Sequence, residues 1–136
     1  MTSASQDRKV LLIEGEPAAS DLLRVLMNKL GCRGEVAANG QQALAMVGCK
    51  DFDAVLLDLR SSNLPAEDVI SGIHEIRPNL IGRVLVITGE VDDRETLELV
   101  ERYFLLQIPR SRLINELVGR LRALLHIAPS PSELRP

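Results

Sequence analysis

Two kinds of apolar pattern alternate along the chain. Unbroken apolar runs occur at 10–13, 54–57 and 84–87, a shorter one surrounds Val36, and a fifth at 104–108 is interrupted only by Gln107. Such runs suit strands covered on both faces of a sheet. Between them, apolar residues recur every three or four positions, as helices packed on one side require. The first set is Leu22, Leu23, Leu26 and Leu30, the second Ala43, Leu44 and Val47, the third Val69, Ile70, Ile73 and Ile76. A fourth carries Leu97, Val100 and Phe104. A fifth carries Leu113, Leu117, Leu121 and Leu124, with Ile114, Val118 and Leu125 beside them.

The punctuation agrees with this division. Pro17 suits the first turn of a helix because its missing N–H has no partner there, and Gly31 ends that helix, predicted over 17–30. Asn39 and Gln42 read as a capping pair for the second helix, and Asp92 and Glu95 for the fourth. Pro78 stops the third helix, Pro109 closes the fifth strand (104–108), and Ser111 is available to cap the fifth helix. The second strand is predicted at 34–38.

Five strands alternating with five helices predict an α/β fold of parallel βαβ units with right-handed crossovers, a single doubly wound sheet. For a chain this short the expected strand order is the flavodoxin-like 2-1-3-4-5. The domain is expected over residues 9–127. Residues 1–8 read as a polar arm and 128–136, rich in Pro and Ser, as a flexible tail.

In that order the first and third strands are neighbours at the point where the chain's winding reverses, and ligands collect there at the carboxyl edge. Asp58 interrupts an otherwise apolar stretch from Ala54 to Leu59 at the end of the third strand. Glu14 ends the first strand and Thr88 the fourth. Three strand ends therefore converge on one pocket, with Asp58 at its centre.

Composition narrows the function classes. Hydrophobic residues make up 46% and charged residues 26% of 136, and the formal net charge is -3, so no basic stripe argues for nucleic acid. Aromatic residues are 2% with no Trp, which removes a stacking platform for single strands. The two cysteines, Cys32 and Cys49, have no C-x-x-C spacing and are expected as small core residues. No run approaches the roughly 18 to 20 apolar residues of a membrane span. The expected setting is the cytoplasm.

These residues carry a resemblance. The acidic turn Glu14, Gly15, Glu16, Pro17, the strand from Phe52 to Leu59, the Ile87-Thr88-Gly89 end of strand four and the Leu105 to Pro109 end of strand five are similar to the receiver domain of bacterial two-component response regulators. The similarity covers residues 9–125. The segment from Ile76 to Gly89 most resembles receivers attached to hybrid histidine kinases. The resemblance implies that Asp58 accepts a phosphoryl group from a phosphohistidine, that Thr88 supplies the hydroxyl following it, and that Pro109 is a cis-proline after a lysine. It also implies Mg²⁺ held by carboxylates, Glu14 and Asp58 among them, because a carboxylate attacking a charged phosphoryl group needs its oxygens neutralised.

The sequence departs from that pattern where the chemistry sits. Gly15 stands in place of a second acid, Ile108 stands where the lysine is expected, with Gln107 before it, and the loop after Asp58 reads Arg60, Ser61, Ser62, Asn63. The site for Mg²⁺ is therefore expected to be weakened or lost. Arg60 and Glu90 belong to loops that overhang the pocket in this family, and Arg60 is expected to turn inward onto Asp58 or Glu14.

Three readings stay open. One is a degenerate receiver, not an enzyme, that binds a signalling partner through the face of helix four, strand five and helix five, with Tyr103, Leu105 and Arg110. The partner would be a histidine kinase, a phosphotransfer protein, another signalling protein or a second copy. Another is a phosphorylatable single-domain regulator. A flavodoxin-like enzyme or nucleotide binder is the third, and it lacks a phosphate-cradling loop, since the turn after strand one offers one glycine and two repelling acids.

Overall fold

The structure, a computed structural model, describes residues 8–59, 65–89 and 94–126. Its elements in order are β1 (Lys9–Ile13), α1 (Pro17–Leu30), β2 (Arg33–Ala37), α2 (Gly40–Cys49), β3 (Ala54–Asp58), α3 (Ala66–Ile76), a 3-10 segment (Pro78–Arg83), β4 (Val84–Thr88), α4 (Arg94–Tyr103), β5 (Leu106–Pro109), a 3-10 turn (Arg110–Arg112) and α5 (Leu113–Leu125). The five strands pair in parallel in the order β2-β1-β3-β4-β5. This is the predicted doubly wound, flavodoxin-like sheet.

Successive residues of a strand face opposite sides, and the three central strands are buried on both. Leu11, Ile13, Val55, Leu57, Val84 and Val86 pack with α2, α3 and α4. Val10, Leu12, Leu56, Leu85, Ile87 and Ile108 pack with α1 and α5 through Leu23, Met27, Leu117 and Leu121. β3 is buried at every position, Asp58 included.

Local signals act as expected at several places. α1 begins at Pro17 and ends at Gly31, which takes the left-handed conformation at φ 75°. Asn39 Oδ1 accepts from Gln42 N at 2.9 Å while Gln42 Oε1 accepts from Ala38 N at 2.6 Å, the reciprocal cap of α2.

Other expectations are corrected. β5 starts at Leu106, because α4 runs to Tyr103 and Phe104 follows it in the left-handed region at φ 54°. Leu105 N then reaches Val100 O at 3.0 Å and closes the helix end. Ser111 caps nothing: the 3-10 turn pushes the start of α5 to Leu113, and the Arg112 ahead of it makes no side-chain cap. Ile76, Leu97, Phe104 and Ile114 are exposed; in α3 the core position after Ile73 is filled instead by Leu80 of the following 3-10 segment.

Cys32 is buried but Cys49, the last residue of α2, is exposed. Burial pushes the Cys32 thiol above its ordinary value, with Arg8 opposing and Asp53 adding smaller effects. No peptide bond among the described residues is cis. Ile108 and Pro109 are thus joined by the trans bond, the isomer intrinsically favoured before proline. Residues 1–7, Asp92 and 127–136 lie outside the described residues, and with them most of the expected arm, tail and fourth-helix cap.

Candidate functional site

β1, β3 and β4 carry the predicted carboxylates and hydroxyl to one edge of the sheet. Glu14, Asp58 and Thr88 are all buried there. Ile13 pairs with Leu57, Asp58 with Ile87, and Ile87 with Ile108. Glu14, one step beyond Ile13, therefore shares a row across the sheet with Asp58, Ile87 and Ile108. Thr88 stands one row further, paired with Pro109.

Glu14 is held by the turn that launches α1. Its N–H continues the ladder to Ala37 O at 3.0 Å, and its Oε1 accepts from Glu16 N at 3.1 Å. That bond satisfies an amide ahead of Pro17, where the chain has left the sheet but has not yet entered the helix. Glu16 itself is exposed.

The end of strand five brings a cation to this edge. Ile108 is completely buried in the α1/α5 layer, so an apolar side chain fills the position where the resemblance calls for a lysine. Two residues on, Arg110 leaves the 3-10 turn and its Nη2 lies 2.5 Å from Asp58 Oδ1. β3 and β5 are separated by β4, about 9.5 Å apart at the usual strand spacing. A long cationic side chain spans that gap and an isoleucine does not.

The Asp58 side chain is 4% exposed and that of Arg110 31%, which places the pair at the pocket wall rather than in open water. Nε and Nη2 of Arg110 are buried and, among the described residues, meet no acceptor in hydrogen-bonding geometry. The contact with Asp58 is thus a close charge pair without the two parallel bonds of an ideal guanidinium–carboxylate fork. Arg110 was expected on the partner face. The local signal for its contact with Asp58 is that it is the first cation after the end of strand five.

The carboxylates do not suit the divalent ion that the resemblance implies. Gly15 offers no side chain, Glu14 Oε1 is engaged by the α1 turn, and a guanidinium stands against Asp58. Among the described residues no group of three His, Cys, Asp or Glu side chains could hold a metal ion. Mg²⁺ demands a near-ideal octahedron of oxygens, which this donor set does not fit.

Of the other predicted residues, Arg60 and Glu90 lie outside the described residues. Leu105 is buried in the layer with α3 and α4, and Tyr103 is half-buried, its ring 5.7 Å from that of His74 in an edge-on contact. The apolar surface that α4, β5 and α5 do present consists of Leu97, Phe104, Leu106 and Ile114, with Phe104 87% and Ile114 66% exposed. No helix among the described residues is long and apolar enough to cross a membrane.

Comparison with known proteins agrees with this architecture. The sequence pattern of the response regulator receiver domain matches residues 10–117. The transcriptional regulatory protein CutR of Streptomyces coelicolor is 32% identical over 119 residues, covering 85% of this chain and 52% of CutR. Sporulation initiation phosphotransferase F of Bacillus subtilis is 32% identical over 88 residues, covering 63% of this chain and 69% of the relative. The chain spans about half the length of CutR and of similar regulatory proteins that it matches. Among solved structures, the inactive form of the regulatory domain from the repressor of iron transport regulator superposes with a TM-score of 0.75 at 27% identity, over 88% of this chain and 95% of that one.

Proposed function

The chain belongs to the response regulator receiver domain family, and from that membership we propose that it is a degenerate receiver, a signalling module that acts by binding a protein partner without phosphoryl transfer to Asp58. The observation that carries this reading is the guanidinium of Arg110 against Asp58 together with the buried Ile108. A carboxylate neutralised by a neighbouring guanidinium is a weaker nucleophile, and an incoming phosphoryl group must displace that cation. Gly15 removes a metal ligand as well, so the charge developing in transfer loses its divalent counterion.

The partner face is α4, β5 and α5. Leu97, Phe104, Leu106 and Ile114 leave apolar side chains in water on or beside these elements. The partner is a signalling protein of the same pathway: a histidine kinase, a phosphotransfer protein or a regulator, with self-association as a further use of the face.

A second reading, a phosphorylatable regulator, is favoured by the retention of Asp58, Glu14 and Thr88 as a buried trio at one edge. Intact mass after incubation with acetyl phosphate and Mg²⁺ separates the two. The expected result is an unmodified chain, since loss of one charge stabiliser in comparable sites slows reaction about a hundred- to thousandfold. A gain of one phosphoryl group that disappears in Asp58→Asn would establish the second reading.

A further inference from the structure

We infer that Arg110 is the resident cation of this pocket, standing on Asp58 for the lysine whose position Ile108 fills and tying the pocket floor to the start of α5. The inference rests on the degenerate reading above and names the device that sustains it. Burying a carboxylate as thoroughly as Asp58 without a counter-charge is costly, and removal of the usual acid and lysine leaves that cost to be met by another group. Arg110 meets it from an unexpected direction. Its backbone belongs to the 3-10 turn between β5 and α5, while its Nη2 sits on Asp58 Oδ1, two strands away.

Two further observations give the contact a direction. Ile108, in the same row as Asp58, is packed into the α1/α5 layer, so the direct path from β5 is filled and the cation must come from beyond Pro109. Among the described residues the buried Nε and Nη2 of Arg110 meet no acceptor in hydrogen-bonding geometry, so the contact is held by charge rather than by aligned hydrogen bonds. Loss of that charge contact would loosen the junction that leads into the exposed Ile114. While Arg110 stays, its positive charge on Asp58 opposes the binding of Mg²⁺ there.

The test is a double-mutant cycle on the full chain, read by urea midpoints, with Mg²⁺ titrations alongside. Arg110→Met is expected to lower the midpoint, and Asp58→Asn/Arg110→Met to lose less than the two single losses combined. Mg²⁺ at millimolar concentration is expected to leave the wild-type midpoint unchanged and to raise that of Gly15→Asp/Arg110→Met, in which a ligand is restored and the resident cation removed. Strictly additive losses, or an equal Mg²⁺ response in wild type, would overturn the inference. If Arg110→Met does not fold, a folded Asp58→Asn/Arg110→Met chain shows the same coupling in stronger form, and a double variant that also fails to fold overturns it. Phosphorylation of wild-type Asp58 would instead refute the functional reading and leave the measured coupling standing.

Discussion

Phe104 occupies the left-handed region at φ 54° with its ring almost wholly in solvent. A non-glycine residue there costs about 1 to 2 kcal/mol, and the position just past a helix is where glycine normally stands. Two bonds still close α4 around it, from Phe104 N to Glu101 O at 3.4 Å and from Leu105 N to Val100 O at 3.0 Å. Phe104→Gly is therefore expected to stabilise the fold by about 1 kcal/mol, seen as a higher urea midpoint, because little packing is lost with the ring. A lower midpoint would mean that the ring packs against the protein in solution. The apolar run 104–108 hid this turn: Phe104 and Leu105 read as strand because nothing local distinguishes an apolar helix terminator from the first residue of a β-strand.

Elements were most legible where the signal was short-range. The α2 cap is an example, since Asn39 and Gln42 lie within one turn of each other and their two bonds follow from spacing alone. Asn39→Ala is expected to cost about 1 kcal/mol of stability, while Gln42→Ala, which keeps the Asn39 bond, costs less. Equal losses in thermal or urea midpoints would show that the two bonds form only as a unit. The helix stripes were read less well at their edges. Leu97 and Ile114 belong to the apolar stripes of α4 and α5 by spacing, yet Leu99, Val100, Leu117 and Leu121 fill the interface. A stripe wider than the groove it enters must leave its rim outside, and the groove's width is set by the sheet and the neighbouring helices.

At the scale of the whole molecule the topology was legible because buried runs alternate with amphipathic ones, which leaves few ways to wind a five-stranded parallel sheet. The same argument located Glu14, Asp58 and Thr88 at one edge. Arg110 escaped it because its contact spans two strands and depends on a side chain's reach rather than on any periodicity. Such a long-range tie has a consequence for the fold as a unit. If Arg110 links Asp58 to the β5–α5 junction, Asp58→Asn removes the charge that holds the guanidinium in that contact, and the loosening is local to the arginine's own segment. Amide hydrogen exchange in Asp58→Asn is then expected to rise in residues 106–114, including the turn and the first residues of α5. The α2 and α3 helices, which pack against the other face of the sheet, should keep their wild-type protection. Uniformly faster exchange would mark a general loss of stability, and unchanged exchange at 106–114 would show that the junction is fixed by its backbone and by the Arg120 bond to Gln107 O at 2.9 Å. Only the localised response identifies Asp58 as the anchor of the β5–α5 junction through Arg110.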